Sequence, residues 1–179
     1  MDIGYARTSM DAIAQEAGVS KQTVYSHFQN KDDLFRSCIM AKVRAYGLDM
    51  QDAHPDLPLA TVLETIGRRL LDLLCDPGVV SIYKVLIGET KGFPQLSEAF
   101  WDNGPQATMD TLARCLAESR DADYAPIENP QRAAEEFLAL VEGHYLMRLM
   151  MHSIEDIPEA EKTAHLERCV TQFLRWHAN

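Results

Sequence analysis

TSMDAIAQEAGVSKQTVYSHFQNK, residues 8–31, is the stretch whose reading decides the fold. Thr8 and Asp11 have the spacing of a capping box, so a helix begins at Thr8 or Ser9. Met10, Ile13, Ala14 and Ala17 recur at i, i+3, i+4 and i+7, one apolar helical stripe. The small Ala14 and Ala17 let a second helix come close. Gly18 stands where the chain must turn, since glycine takes a positive φ at no steric cost, and Val19 is placed to tuck into the corner. Ser20 is a good N-cap for the second helix. In that helix Val24 and Phe28 share the inward face, while Lys21, Gln22, Tyr25 and Ser26 face outward. Asn30 caps a third helix, with Asp32 and Asp33 in its first turn, where the helix dipole favours them. Two short helices on a tight turn, the second led by small polar and basic residues, are the layout of a helix-turn-helix, which sets a recognition helix in the DNA major groove. The plainer alternative is an amphipathic helical hairpin with a solvated polar face.

Outward from this stretch the chain reads as all-α. Pro and Gly punctuate it and no segment alternates like a strand. A long helix is predicted over 31–51, ended by the two prolines of 53–58. The next covers 59–74, with Val62, Ile66, Leu70, Leu73 and Leu74 on a broad apolar face. Pro77 and Gly78 break the chain again, and 79–90 is apolar enough to be buried. Phe93-Pro94 opens another helix that Gly104-Pro105 kinks or interrupts before it runs on to about 119. A polar loop covers 121–130. Two last helices are predicted over 131–152 and 159–176. The division expected is a helix-turn-helix headpiece with its linking helix over 1–50 and a helical ligand-binding and dimerisation domain over 51–179.

The chain has 179 residues and a formal net charge of −10, which runs against DNA binding at first sight. The charge is uneven: residues 1–50 hold six Lys+Arg and six Asp+Glu, whereas 51–179 hold eleven and twenty-one. From Ser20 to Lys31 there are two lysines, one histidine and no acid. An acidic body with a non-acidic reading head orients such a molecule on DNA. Cys38, Cys75, Cys115 and Cys169 are far apart and form no metal-type pair, which fits reduced thiols in a cytoplasmic protein. No cofactor is expected. No apolar run spans a bilayer and no signal peptide is visible, so no membrane partner is expected.

The run T-S-M-D-A-I-A-Q-E-A-G-V-S-K-Q-T-V-Y-S-H-F-Q-N-K-D-D-L-F resembles the DNA-binding motif of TetR-family transcriptional regulators, over roughly residues 4–50. The resemblance rests on the Ala-Gly-Val-Ser turn, the Tyr25-Ser26-His27-Phe28 run and the Asn30-Lys31-Asp32-Asp33-Leu34-Phe35 start of the next helix. It implies an all-helical homodimer that binds a palindromic double-stranded operator and releases it when a small molecule enters the C-terminal domain. It also implies roles. Thr8 matches a phosphate contact through its hydroxyl or backbone N–H. Lys21, Gln22 and Ser26 are candidates for base edges, lysine suiting guanine O6/N7 and glutamine adenine N6/N7. Ser20, Thr23, Tyr25, His27 and Lys31 resemble the phosphate-contacting set, which fixes register without reading sequence. In the family a full helix precedes this motif. Here Met1 stands three residues before the Gly4-Tyr5 that ends it. That helix is therefore expected to be missing, the sequence starting downstream of the natural start or being shortened. Part of Met10, Ile13, Val24 and Phe28 would then be uncovered and the headpiece loosened.

The body carries further expectations. FLALVEGHYLMRLMM, from Phe137, is apolar on more than one face, and Leu166, Cys169, Val170, Phe173 and Leu174 form a stripe on the final helix. Two such helices from each of two chains suit a four-helix homodimer interface, which resembles the family's way of dimerising. The segment from Phe93 to Pro105 resembles, more loosely, the C-terminal domain of AcrR- and AefR-like members. A pocket for a small hydrophobic effector follows, with candidate lining residues Tyr83, Phe100, Trp101, Met109, His144, Met147, Arg148 and Met151. His144 and Arg148, one turn apart, are its polar anchors in this reading. The alternatives are a core histidine and an arginine paired with Glu142 or Glu89. The function expected is a ligand-responsive repressor. The alternative is a dimeric small-molecule-binding protein whose DNA binding is impaired by N-terminal truncation. A helical enzyme has no nucleophile–base pair, metal triad or phosphate loop in its favour.

Overall fold

The computed structural model describes residues 4–51, 53–124 and 126–177. Among these residues every regular element is a helix. The helices are α1 (Gly4–Arg7), α2 (Met10–Glu16), α3 (Lys21–His27), α4 (Lys31–Ala45), α5 (Leu59–Leu74), α6 (Pro77–Glu89), α7 (Pro94–Asn103), α8 (Pro105–Glu118), α9 (Pro130–Glu142), α10 (Tyr145–Met150) and α11 (Glu159–His177).

The headpiece forms as its caps dictate. Ser9, rather than Thr8, caps α2, its side chain accepting from the Ala12 N–H; Ser20 accepts from Thr23 N–H and Asn30 from Asp33 N–H. Gly18 turns the chain at φ +67°. Met10, Ala14 and Val24 are buried together, with Ile13, Phe28 and Leu34 partly buried against them. The expected uncovering of Met10 and Val24 is thus not found, because α2, α3 and the first turn of α4 close on one another. Two smaller expectations fail: Ala17 and Val19 lie exposed, since the chain at Gly18 turns away from this cluster.

Prolines begin helices here more than they end them. Pro77, Pro94, Pro105 and Pro130 each occupy the first turn, where the missing N–H is no loss. Pro77-Gly78 therefore opens α6 instead of breaking the chain. α5 has no side-chain cap of its own residue; Asp121, from the polar loop, accepts from the Leu59 N–H at 2.8 Å. α4 stops at Ala45, short of the predicted 51, because Gly47 and Met50 take positive φ of 66° and 46°. α6 is less buried than predicted, with only Val79, Val80 and Leu86 buried and Ile87 on the surface.

The main core lies where α5, α9 and α11 meet. Leu63, Ile66 and Leu71 pack with Phe137, Val141, Leu166 and Phe173, and the Phe137 and Phe173 rings meet edge to face at 5.2 Å. The headpiece docks through Tyr5, buried with Leu86 and Leu96 and flanked by Phe35 and Phe93. α4 lies along α7, and α8 along α9. The predicted single helix over 131–152 is two. Gly143, at φ +51° and ψ −126°, ends α9, a conformation that side chains other than glycine's resist.

Candidate nucleic-acid interface and ligand cavity

α3 presents Lys21, Gln22, Thr23, Tyr25, Ser26 and His27 to solvent, together with its cap Ser20. The inward residue is Val24, so the face left outward is polar and free of acids. Its side chains are ordered by local bonds. The Ser20 and Thr23 hydroxyls lie 2.8 Å apart, and Ser26 Oγ donates to the Thr23 carbonyl at 2.7 Å. Lys21 pairs with Asp11 of α2. Both partners are well exposed, and such a pair contributes only about 0–1 kcal/mol, so the ammonium is easily released from it.

Thr8 and Lys31 have other work. Thr8 Oγ1 donates to the Gly4 carbonyl at 2.8 Å, and the Thr8 N–H donates to the Tyr5 carbonyl at 3.2 Å. Lys31 Nζ donates to the carbonyls of Tyr5 at 2.6 Å and Thr8 at 2.8 Å, and sits 4.0 Å from the centre of the Tyr5 ring. The donors proposed for phosphate at Thr8 are both committed, and Lys31 fastens α1 to α4. The Tyr5 hydroxyl bonds Asp32. Burial and the Asp32 carboxylate together raise the Tyr5 phenol well above its ordinary range.

A second feature lies in the body. A cavity of about 350 Å³ opens between α4, α5, α6, α7, α8, α9 and the start of α10, within the roughly 300–1,000 Å³ usual for small-molecule sites. Tyr83, Phe100, Trp101 and Met109 line it, as expected from the sequence. Tyr83 and Phe100 meet edge to face at 5.0 Å. α4 adds Ile39, Lys42 and Val43, and α9 adds Glu135, Leu138, Ala139 and Glu142.

His144, Met147, Arg148 and Met151 do not line this cavity. Phe137 and Val141, whose face would run on to His144 and Arg148, pack in the main core and not on the cavity wall. The cavity face of α9 is that of Glu135, Leu138, Ala139 and Glu142, which Leu146 of α10 continues. His144 stacks on Tyr145 at 4.7 Å and its Nε2 lies 3.2 Å from Arg148 Nη1. Met147 and Met151 are 63% and 72% exposed. The missed residues had a signal. Glu135, Leu138, Ala139 and Glu142 recur at i, i+3, i+4 and i+7, as do Ile39, Lys42 and Val43 at i, i+3 and i+4.

Among the described residues the charged ones that line the cavity are Lys42, Glu135 and Glu142. Lys42 Nζ bonds Asp76 Oδ2 at 2.6 Å, where the Tyr46 hydroxyl also donates at 2.9 Å, and Asp76 Oδ1 accepts from the N–H groups of Gly78 and Val79. Burial alone would raise the Asp76 carboxyl; these donors outweigh it and hold it below its ordinary value. Burial pushes the Glu142 carboxyl up. Burial, and then the nearby Glu142 charge, push the Tyr83 phenol up to about 12.

A helix-turn-helix headpiece on an all-helical body defines a class, the helix-turn-helix transcriptional regulators. Residues 1–38 match the family model described as "Bacterial regulatory proteins, tetR family", and residues 61–179 match "AefR-like transcriptional repressor, C-terminal domain". The chain belongs to the TetR family of transcriptional regulators, which are not enzymes. It is similar to the flavonoid-responsive regulator FrrA, at 32% identity and a TM-score of 0.75, covering 98% of this chain and 89% of that one. A TetR-family regulator from Mesorhizobium loti MAFF303099 shares the fold at a TM-score of 0.78 and 24% identity, with 98% and 89% of the two chains covered. An uncharacterised helix-turn-helix regulator of Bacillus subtilis strain 168, YhgD, is 33% identical over 72 residues, 40% of this chain and 36% of that protein. No helix among the described residues is long and apolar enough to cross a membrane.

Proposed function

We propose that this protein is a ligand-responsive repressor that binds a palindromic operator as a homodimer and leaves it when a small apolar molecule fills the body cavity. The observation that carries this reading is the role of α4. It follows the recognition helix α3 directly, and its Ile39, Lys42 and Val43 form one wall of the cavity. A ligand that binds better to one placement of α4 therefore biases the placement of the reading head. By linkage, operator DNA weakens ligand binding by the same factor. Lys21, Gln22 and Ser26 are assigned to base edges, and Ser20, Thr23, Tyr25 and His27 to phosphate. The dimer is assigned to α9, α10 and α11, where Met147, Met151 and Trp176 leave large apolar surface exposed. A pair of chains places two recognition helices about 34 Å apart, one turn of duplex.

The test is a selection of bound DNA from a random pool, followed by titration of the selected site at several salt concentrations. The expected result is a palindrome with affinity falling steeply as salt rises. Lys21→Ala should relax the preference at one base position by about 1–3 kcal/mol. A flat salt response, or no enriched sequence, refutes the DNA-binding part of the proposal.

A further inference from the structure

The cavity differs from a plain apolar pocket in its unbalanced charge. Lys42 is already neutralised by Asp76. Glu135 stands exposed toward solvent, whereas Glu142 is partly withdrawn from it. No side chain among the described residues pairs with Glu142, since Arg148 turns to His144 and Lys84 to His152. The same cavity is lined by aromatic rings, Tyr83 and Phe100 edge to face and Trp101 half exposed. A carboxylate held out of water without a partner is unfavourable. An opposite charge beside it gains more there than in bulk solvent, and aromatic faces add to the attraction of a cation. A neutral guest would deepen the desolvation of Glu142, and an anionic one would be repelled.

From this we propose that the cavity takes an organic monocation, an aromatic or bulky apolar body carrying one positive charge, with the charge at Glu142 and the body against Tyr83, Phe100 and Trp101. The inference rests on reading this cavity as the effector site and adds the chemical class of the effector. A neutral hydroxylated aromatic, of the kind named for the flavonoid-responsive relative, is the competing occupant and an arm of the test.

The experiment uses the full chain and a matched ligand pair, a phenylalkyl-trimethylammonium ion and its uncharged tert-butyl isostere, with a flavonoid as third ligand. Binding is followed by calorimetry. The unsubstituted protein should bind the cation at least ten-fold more tightly than the isostere. Glu142→Gln should abolish that preference without weakening the isostere, and Glu142→Asp, which keeps the charge, should retain it. Isostere or flavonoid binding as tight as the cation, unchanged by Glu142→Gln, overturns the cation inference while leaving the cavity as a ligand site. Ligand binding that survives Leu73→Trp, a substitution that fills the cavity, overturns the reading of the cavity itself.

Discussion

Replacing Lys31 by methionine separates two roles for one residue. Its position in the motif suggests a phosphate contact, but its geometry makes it a fastener. The substitution keeps the apolar stem and removes the ammonium that donates to Tyr5 O at 2.6 Å and Thr8 O at 2.8 Å and faces the Tyr5 ring at 4.0 Å. Hydrogen bonds from a charged donor are worth about 1.5–3 kcal/mol each. This group is half-buried, so the low end applies. The ring contact adds about 0.5–1 kcal/mol. The total, roughly 3.5–4 kcal/mol, equals about a 300- to 700-fold rise in local opening, at about 1.4 kcal/mol per decade. Native-state hydrogen exchange reads it directly. The amides of Thr8, Ile13 and Ala17, all bonded within the headpiece, should lose protection by that factor, while α5 and α11 keep theirs. The salt dependence of DNA binding supplies the counter-test. A lost phosphate contact lowers the slope of log K against log salt by about 0.9 per site. Unchanged exchange together with such a drop in slope would place Lys31 on the DNA backbone and refute the argument.

Gly143→Ala forces a side chain into φ +51° and should cost about 1–3 kcal/mol in urea denaturation; no loss would mean the chain can continue α9 through this point. Asp76→Asn should destabilise by about 1–3 kcal/mol at neutral pH, because it weakens the bonds from Lys42, Tyr46 and the start of α6. The folded-state carboxyl lies below its ordinary value. Its contribution is therefore fully present above the unfolded value of about 3.9 and is lost as pH falls through the folded one. The gap between the two proteins should close as denaturation is repeated at progressively lower pH below about 4, and a gap independent of pH would show that the ion pair contributes nothing.

Much of the headpiece was legible because its signals are local. A cap needs only a hydroxyl or amide and an N–H three residues on, so Ser20 and Asn30 announce α3 and α4 by themselves. The limits of α5, 59–74, follow equally from one unbroken apolar period. Half of the candidate lining residues, Tyr83, Phe100, Trp101 and Met109, do stand on the cavity wall, although aromatic and methionine side chains on apolar helices more often fill cores. The other half failed on the choice of helical face. His144 and Arg148 continue the face of Phe137 and Val141, which packs in the main core, whereas the cavity lies against the face of Glu135, Leu138 and Glu142. The break at Gly143 was hidden as well, since Gly67 lies inside α5 with the Leu166 and Val141 side chains packed close to it.

The sequence by itself determined the helix-turn-helix, the all-α class and the outward polar face of α3, because caps, turns and periodicity act over a few residues. Only the tertiary structure decided that Lys31 Nζ bonds the carbonyls of Tyr5 and Thr8. It likewise decided that Lys42 is neutralised by a residue 34 positions away and that Glu142 faces the cavity with no ion-pair partner among the described residues. Such outcomes depend on which charged groups meet across helices, and the distances that govern them are set by packing rather than by position along the chain.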